Sequence, residues 1–212
     1  MSAPATPRLL ALALAPGTTP PQDALAQRIL DAALALAAGS GFRHLTMDDV
    51  ARRARVGRMT VYRRFGSRSA LIEALTVRET RRCLERIGAA LEPDAAALER
   101  FTALFTSTLA VIREHPLLER LARVEPEALL RELSKDDSAV FRLVREFLRG
   151  LILAAQASGE LVAGDPEILA ELAIRLGASF VLIPETALPL GDEQATGEAV
   201  RRMLAPLTVA GC

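Results

Sequence analysis

Residues 46–65 read T-M-D-D-V-A-R-R-A-R-V-G-R-M-T-V-Y-R-R-F. Thr46 stands ahead of Met47-Asp48-Asp49-Val50-Ala51, which marks a helix start. A threonine hydroxyl accepts from a free backbone N–H, and two acids in the first turn favour the positive end of the helix dipole. Val50, Ala51 and Val56, followed by Val61 and Phe65, form one apolar set shared by two short helices. About four residues around Ala54–Gly57 join them, the spacing of a helix-turn-helix whose second helix enters a DNA major groove.

Rotation at about 100° per residue tests the second helix. Val61 and Phe65 point inward together, so Met59 and Arg63 face solvent, flanked by Thr60 and Tyr62, with Arg58 and Arg64 on the shoulders. An outward arginine can donate to guanine O6 and N7, and methionine offers apolar atoms to thymine methyl groups. The shoulder arginines suit phosphates. A solvated basic face on an ordinary helix would carry the same charge, but it would not require the turn spacing or the inward apolar set.

The charge distribution along the chain agrees. Lys plus Arg equals 26 and Asp plus Glu equals 26 over 212 residues, so the formal net charge is zero. Residues 43–86 nevertheless hold twelve arginines against five acids, while residues 87–212 hold twelve basic and nineteen acidic side chains. A basic segment joined to an acidic remainder points to a polyanion-binding module attached to something else. Half the residues are hydrophobic and a quarter charged, which excludes a disordered or fibrous chain. With only Cys83, Cys212, His44 and His115, no metal site or disulfide framework is expected, and a reducing cytoplasm fits best. Arg8 followed by Leu9–Ala15 imitates a short signal peptide, but the prolines at 4, 7, 16 and 20 mark residues 1–20 as a flexible arm. The longest nearly apolar run, Leu176–Ile183, is too short to span a bilayer, so no membrane partner is expected.

Helical periodicity recurs along the rest of the chain. Residues 22–38 carry Leu25, Ile29, Leu30, Ala33, Leu36 and Ala37 at three- and four-residue steps and stop at Gly39 and Gly41. A short helix near 58–65 is followed by a long one from Ser67 to about Leu91. Leu98, Phe101, Phe105, Leu109 and Ile112 form one later stripe, ending at His115-Pro116. Val140, Val144, Phe147, Leu151 and Ala154 form another. Asp165-Pro166 opens a helix apolar nearly all round, and Asp192 opens the last one. About nine helices and no sheet make the chain all-α, with a three-helix DNA-binding region at 21–75 and a helical bundle at 76–212.

These motifs resemble the TetR (TetR/AcrR) family of bacterial transcriptional regulators. I-L-D-A-A-L-A-L-A-A-G-S-G-F at 29–42 is similar to that family's first helix and its Gly-Phe ending. L-T-M-D-D-V-A is similar to its second helix, and T-V-Y-R-R-F-G-S-R-S-A-L-I at 60–72 to its recognition helix and fourth-helix start. The close likeness covers about residues 25–75. It implies phosphate contacts by Thr46, Tyr62 and Arg68, the last where the family often has Lys. Where the family usually has Gly-Val-Ser at the turn, this chain has Arg55-Val56-Gly57. Arg55 is then expected in a left-handed conformation, costing on the order of 1 kcal/mol relative to Gly. Gly57 can cap the recognition helix, though without a side-chain acceptor.

In the C-terminal region the stripes place Phe101, Phe105, Leu109, Val144, Phe147 and Leu151 around an interior that can hold a small, apolar, acyl-like effector. Arg175 in an apolar helix needs a carboxylate, either a protein acid or a ligand. The excess apolar surface of Leu172, Leu176 and Phe180, with Val200, Met203 and Leu204 on the last helix, is expected to pair about a two-fold axis in a homodimer. Cys83 beside Arg81-Arg82 is a redox-sensor candidate weighed against an inert helical cysteine. His115 is read as a helix-terminal histidine at a C-terminal dipole, ahead of a pocket donor. The leading function is a ligand-responsive repressor that binds a palindromic DNA operator as a homodimer, with no cofactor. An enzyme is disfavoured, because neither paired catalytic carboxylates nor a nucleophile–base arrangement nor a phosphate-cradling Gly loop is present. A helical interaction module, or a sensor without sequence-specific DNA binding, is the alternative.

Overall fold

The computed structural model of the chain describes residues 23–92, 94–127, 130, 138–161, 163–183, 186–189 and 192–205. Nine helices can be bounded among them: α1 (Ala24–Ser40), α2 (Met47–Ala54), α3 (Arg58–Phe65), α4 (Arg68–Ala89), α5 (Ala97–Glu114), α6 (Pro116–Arg123), α7 (Ala139–Ala157), α8 (Pro166–Leu182) and α9 (Glu193–Leu204). A three-residue 3-10 turn, Phe42–His44, joins α1 to α2. The all-α class read from periodicity is the one the chain adopts. The arm expected at residues 1–20 lies outside the described residues. No helix among the described residues is long and apolar enough to cross a membrane.

Side-chain caps explain most helix starts. Asp23 accepts from the Ala26 N–H at 2.9 Å, Thr46 from Asp49 at 3.1 Å, Asp165 from Glu167 at 2.8 Å and Asp192 from Ala195 at 2.9 Å. Such a cap contributes typically about 1 kcal/mol. One junction goes beyond the expectation. His115-Pro116 does not simply end a helix: Pro116 occupies the first turn of α6 and His115 is its N-cap, its Nδ1 accepting from the Leu118 N–H at 3.4 Å. Proline is tolerated there because that position has no intrahelical N–H bond to lose. His115 therefore follows the carbonyl end of α5, as expected, and in addition sits at the positive end of α6 as its cap.

The chain forms two compact units. The first takes in described residues from 23 to 81 and from 115 to 140, and the second those from 82 to 114 and from 141 to 205. The boundary expected at 75–76 thus falls inside α4. The first unit is built on Ile29, Leu30 and Ala33 of α1, Val50 of α2, Val61 of α3, and Leu71 and Leu75 of α4, all fully buried. Leu117 and Leu121 of α6 complete the same cluster.

A buried polar set crosses this apolar core. Arg78 Nη1 lies 2.8 Å from Asp31 and its Nε 2.6 Å from Glu79, whose other oxygen lies 3.0 Å from His115 Nε2. Farther along, Arg120 donates to the Gly39 carbonyl at 3.2 Å and to Glu125 at 3.3 Å. Gly41 has φ 80°, and the Glu125 carboxylate occupies the space that a Cβ would need there. Only glycine meets both conditions.

In the second unit α5 lies chiefly against α9 and also meets α8. Glu160 supplies the cap that α5 lacks locally, accepting from the Ala97 N–H at 2.8 Å and from Arg100 at 3.0 Å. The Ser158 hydroxyl, then the Ala97 N–H and Arg100, hold its carboxyl below the ordinary range against the opposing effect of burial. A depressed carboxylate pKa contributes stability above its unfolded value, near about 4.3. That contribution is lost as pH falls through the folded value. The wild type should therefore exceed Glu160→Gln in urea midpoint at pH 7, and the difference should close below about pH 4.

Candidate nucleic-acid interface

The eight-residue helix α3 is anchored by Val61 and Phe65, both buried. Burial of such side chains contributes roughly 1.5–3 kcal/mol each, enough to fix the rotation of a short helix. Met59 is consequently 75% exposed, the most exposed of the large hydrophobic residues described. Arg63 is also exposed and has no hydrogen bond or ion pair among the described residues. Thr60 and Tyr62 flank them, each half-buried.

The connection to α2 has the expected conformation. Arg55 adopts φ 54° and ψ 48°, left-handed, and Gly57 caps α3 without a side-chain hydrogen bond. The Val56 N–H donates to the Ala51 carbonyl at 3.0 Å and closes the end of α2.

Acidic partners that sequence spacing did not indicate hold the shoulder cations. Arg58 lies 3.0 Å from Asp48 and 5.3 Å from the centre of the Tyr62 ring. The Tyr62 hydroxyl first, then the Asp48 charge, raise its already high pKa. Arg64 pairs with Asp23, the N-cap of α1. The Thr46 hydroxyl, besides capping α2, donates to the Asp49 carboxylate at 2.6 Å. Arg68 is folded back, with Nε donating to the Leu45 carbonyl at 2.6 Å and Nη2 to the carbonyl of Phe42. That clamp braces the turn before α2. Of the eight residues expected at DNA, Met59, Thr60 and Arg63 project with no side-chain hydrogen bond or ion pair among the described residues, and the other five are pre-positioned by internal partners.

The C-terminal assignments change in several places. Arg175 is exposed and pairs with Glu171 one turn away at 2.6 Å, so it does not enter an interior pocket. A four-residue helical step satisfies it at the surface. Val200 is fully buried and Phe180 packs edge-on against Phe105, ring centres 5.2 Å apart, so neither forms the open face expected of them. Leu172 and Leu176 do, at 57% and 51% exposure, and Met203 is exposed on α9. The Leu204 side chain lies outside the described atoms. Phe147 and Leu151 are buried core, while Phe101, Phe105, Leu109 and Val144 are half-buried. A hollow of this unit lies between α5 and α9. It is bounded by polar residues such as Glu99, Thr102, Gln194 and Arg201. Cys83 is buried, which suits the inert reading.

Two short helices on one apolar set, with a left-handed turn between them and an outward Met-Arg face, define a helix-turn-helix regulator. The family described as "Bacterial regulatory proteins, tetR family" matches residues 29–75. The chain is 30% identical over 167 residues to the HTH-type transcriptional regulator AlkX of Mycobacterium tuberculosis, covering 77% of each chain. It is 32% identical over 126 residues to an uncharacterized HTH-type transcriptional regulator of the same species, 59% of this chain and 62% of that one. It therefore spans less than two thirds of the latter's length. The fold is that of the TetR family repressor AlkX from Dietzia sp., at TM-score 0.58 and 20% identity, over 88% of this chain and 99% of that one. The chain belongs to the TetR family of bacterial transcriptional regulators.

The left-handed Arg55 yields a direct test of backbone strain. Arg55→Gly should raise stability by about 1 kcal/mol, read as a higher urea midpoint with an unchanged slope.

Proposed function

We propose that this protein binds a palindromic DNA operator as a homodimer and represses transcription until a small apolar effector releases it. The outward face of α3 carries the reading: Met59 and unpaired Arg63 project from a helix whose rotation is fixed by buried Val61 and Phe65. In a major groove Arg63 would donate to guanine O6 and N7, and Met59 would meet a thymine methyl. Arg58, Arg64, Thr46 and Tyr62, held by their internal partners, border that face for phosphate contact. Selection from random DNA should return a palindrome with half-sites about one helical turn apart or a multiple. Arg63→Ala should cost about 1–3 kcal/mol on the selected site and relax one base position. Equal affinity and specificity would refute this orientation of α3.

Dimer formation is supported by the apolar stripe of Ile168, Leu172 and Leu176 along α8, which stands open to solvent in one chain. Pairing that stripe with its copy would bury it. Light scattering at micromolar concentration should give the mass of two chains, and Leu172→Glu with Leu176→Glu should halve it.

The effector assignment draws on aliphatic and Phe side chains at 101, 105, 109 and 144, with no Trp for a cationic aromatic cage. The structural neighbour AlkX from Dietzia sp. is implicated in n-alkane biodegradation, which fits an aliphatic ligand. A coupling of about 1–3 kcal/mol suffices for release. Phe105→Trp and Phe147→Trp should keep DNA binding and lose induction by a screened alkane or acyl ligand. Induction that survives both would place the effector elsewhere.

A further inference from the structure

Two acids from outside α3 hold it near its two ends. Asp23 meets Arg64 in the last turn, and that carboxylate is already accounted for as the cap of α1. Asp48 meets Arg58, the first residue of α3. One of its oxygens lies 3.0 Å from Nε, and the other accepts from Nη1 at 3.2 Å. The same guanidinium lies 5.3 Å from the centre of the Tyr62 ring, one turn along the helix. A carboxylate and an aromatic face thus seat Arg58 together, although the Arg58 and Asp48 side chains are 62% and 59% exposed.

The dipole of α2 favours acids in its first turn. Of the two there, Asp49 has local partners, the Thr46 hydroxyl and Arg52. Asp48 turns instead to a residue ten positions away on the next helix. An exposed pair of this kind adds little stability, so the fold does not require it. Beside DNA it has a cost. A carboxylate next to the reading face is repelled by phosphates, and it cancels the charge with which Arg58 would attract them. What the pair keeps is direction. A guanidinium seated by an acid presents its remaining N–H groups in one orientation, and the N-terminal residues of a recognition helix are those that reach base edges.

We propose that Asp48 determines sequence specificity by positioning Arg58 to donate to a guanine edge, a role beyond the phosphate contact that its shoulder position suggests. The inference rests on α3 lying in the major groove. Arg58 and Arg63 stand about 7.5 Å apart along the helix axis and meet different base pairs. Because the Asp48–Arg58 pair is neutral, it adds discrimination between sequences without adding attraction to DNA in general.

Affinities of the full chain for its selected operator, for single-base variants of that operator and for unrelated DNA, measured across salt concentrations, provide the test. Arg58→Ala should erase about tenfold discrimination at one base pair of each half-site, a different one from that lost in Arg63→Ala. Asp48→Ala should weaken discrimination severalfold at the Arg58 base pair and leave the other positions unchanged. It should also bind unrelated DNA more tightly, with a steeper salt dependence, because the charge of Arg58 is then uncompensated. In the Arg58→Ala background, Asp48→Ala should remove no further base preference. Thermal midpoints close to that of the wild type separate these effects from lost folding. Tighter binding of Asp48→Ala to all sequences alike, with every base preference kept, would overturn the proposal and leave Arg58 on a phosphate. A loss of preference spread evenly over all positions would overturn it as well. A loss at the Arg58 base pair, with none in Arg63→Ala, would uphold it while refuting the orientation given to Arg63. A wild type that selects no preferred sequence would refute both.

Discussion

Arg78 and Glu79 are neighbours in sequence, opposite in charge and both buried, and the first unit is assembled around that pair. Taking two charges out of water is costly, and their attraction offsets the cost only when further partners complete the geometry. Here Asp31 and Gln27 of α1 meet Arg78, and His115 meets Glu79. His115 Nδ1 accepts from the Leu118 N–H, which leaves the proton on Nε2 to donate to Glu79. One imidazole ring thus both caps α6 and meets a buried carboxylate. Removing one member of such a set strands a charge, at a cost of about 3–5 kcal/mol. The pair therefore sets the mutual position of α1, α4 and α6.

Local rules were legible from the sequence because their causes are local. Thr46, Asp165 and Asp192 are caps whose oxygens reach N–H groups two or three residues ahead. The left-handed Arg55 follows from where a turn must fall between two short helices. His115-Pro116 closes α5 as its sequence indicates, but the same two residues also open α6, and a proline that ends one helix carries no mark that it begins another. The return of residues 115–140 to the first unit has no local cause at all. Leu117 and Leu121 look like any amphipathic pair until their neighbours are known.

The candidate site divides along the same line. Rotation of α3 alone exposes Met59 and Arg63 and buries Val61 and Phe65, so the reading face could be inferred. The counter-ions could not, because Asp48 lies ten residues from Arg58 and Asp23 forty-one from Arg64, spacings that belong to no helix. Of the two partners open to Arg175, a protein acid or a ligand, the structure supplies the acid, Glu171 one turn away, on the open side that Arg175 shares with Leu172 and Leu176. Apolar content does not distinguish a core from a surface awaiting a second chain.

The presence of α6 leucines in the core of the first unit has a consequence in time. A chain made from its N-terminus releases α1 to α4 well before α6, at about 5–20 residues per second. Until Leu117 and Leu121 arrive, the helix-turn-helix rests on an apolar face with part of its cover missing. The segment from 82 to 114 must be looped out for that cover to close, which adds little free energy but delays folding. The helix-turn-helix is thus fully covered only after the chain has run through residues 82–114 of the other unit and returned to the first, while α7 to α9 are still to be made.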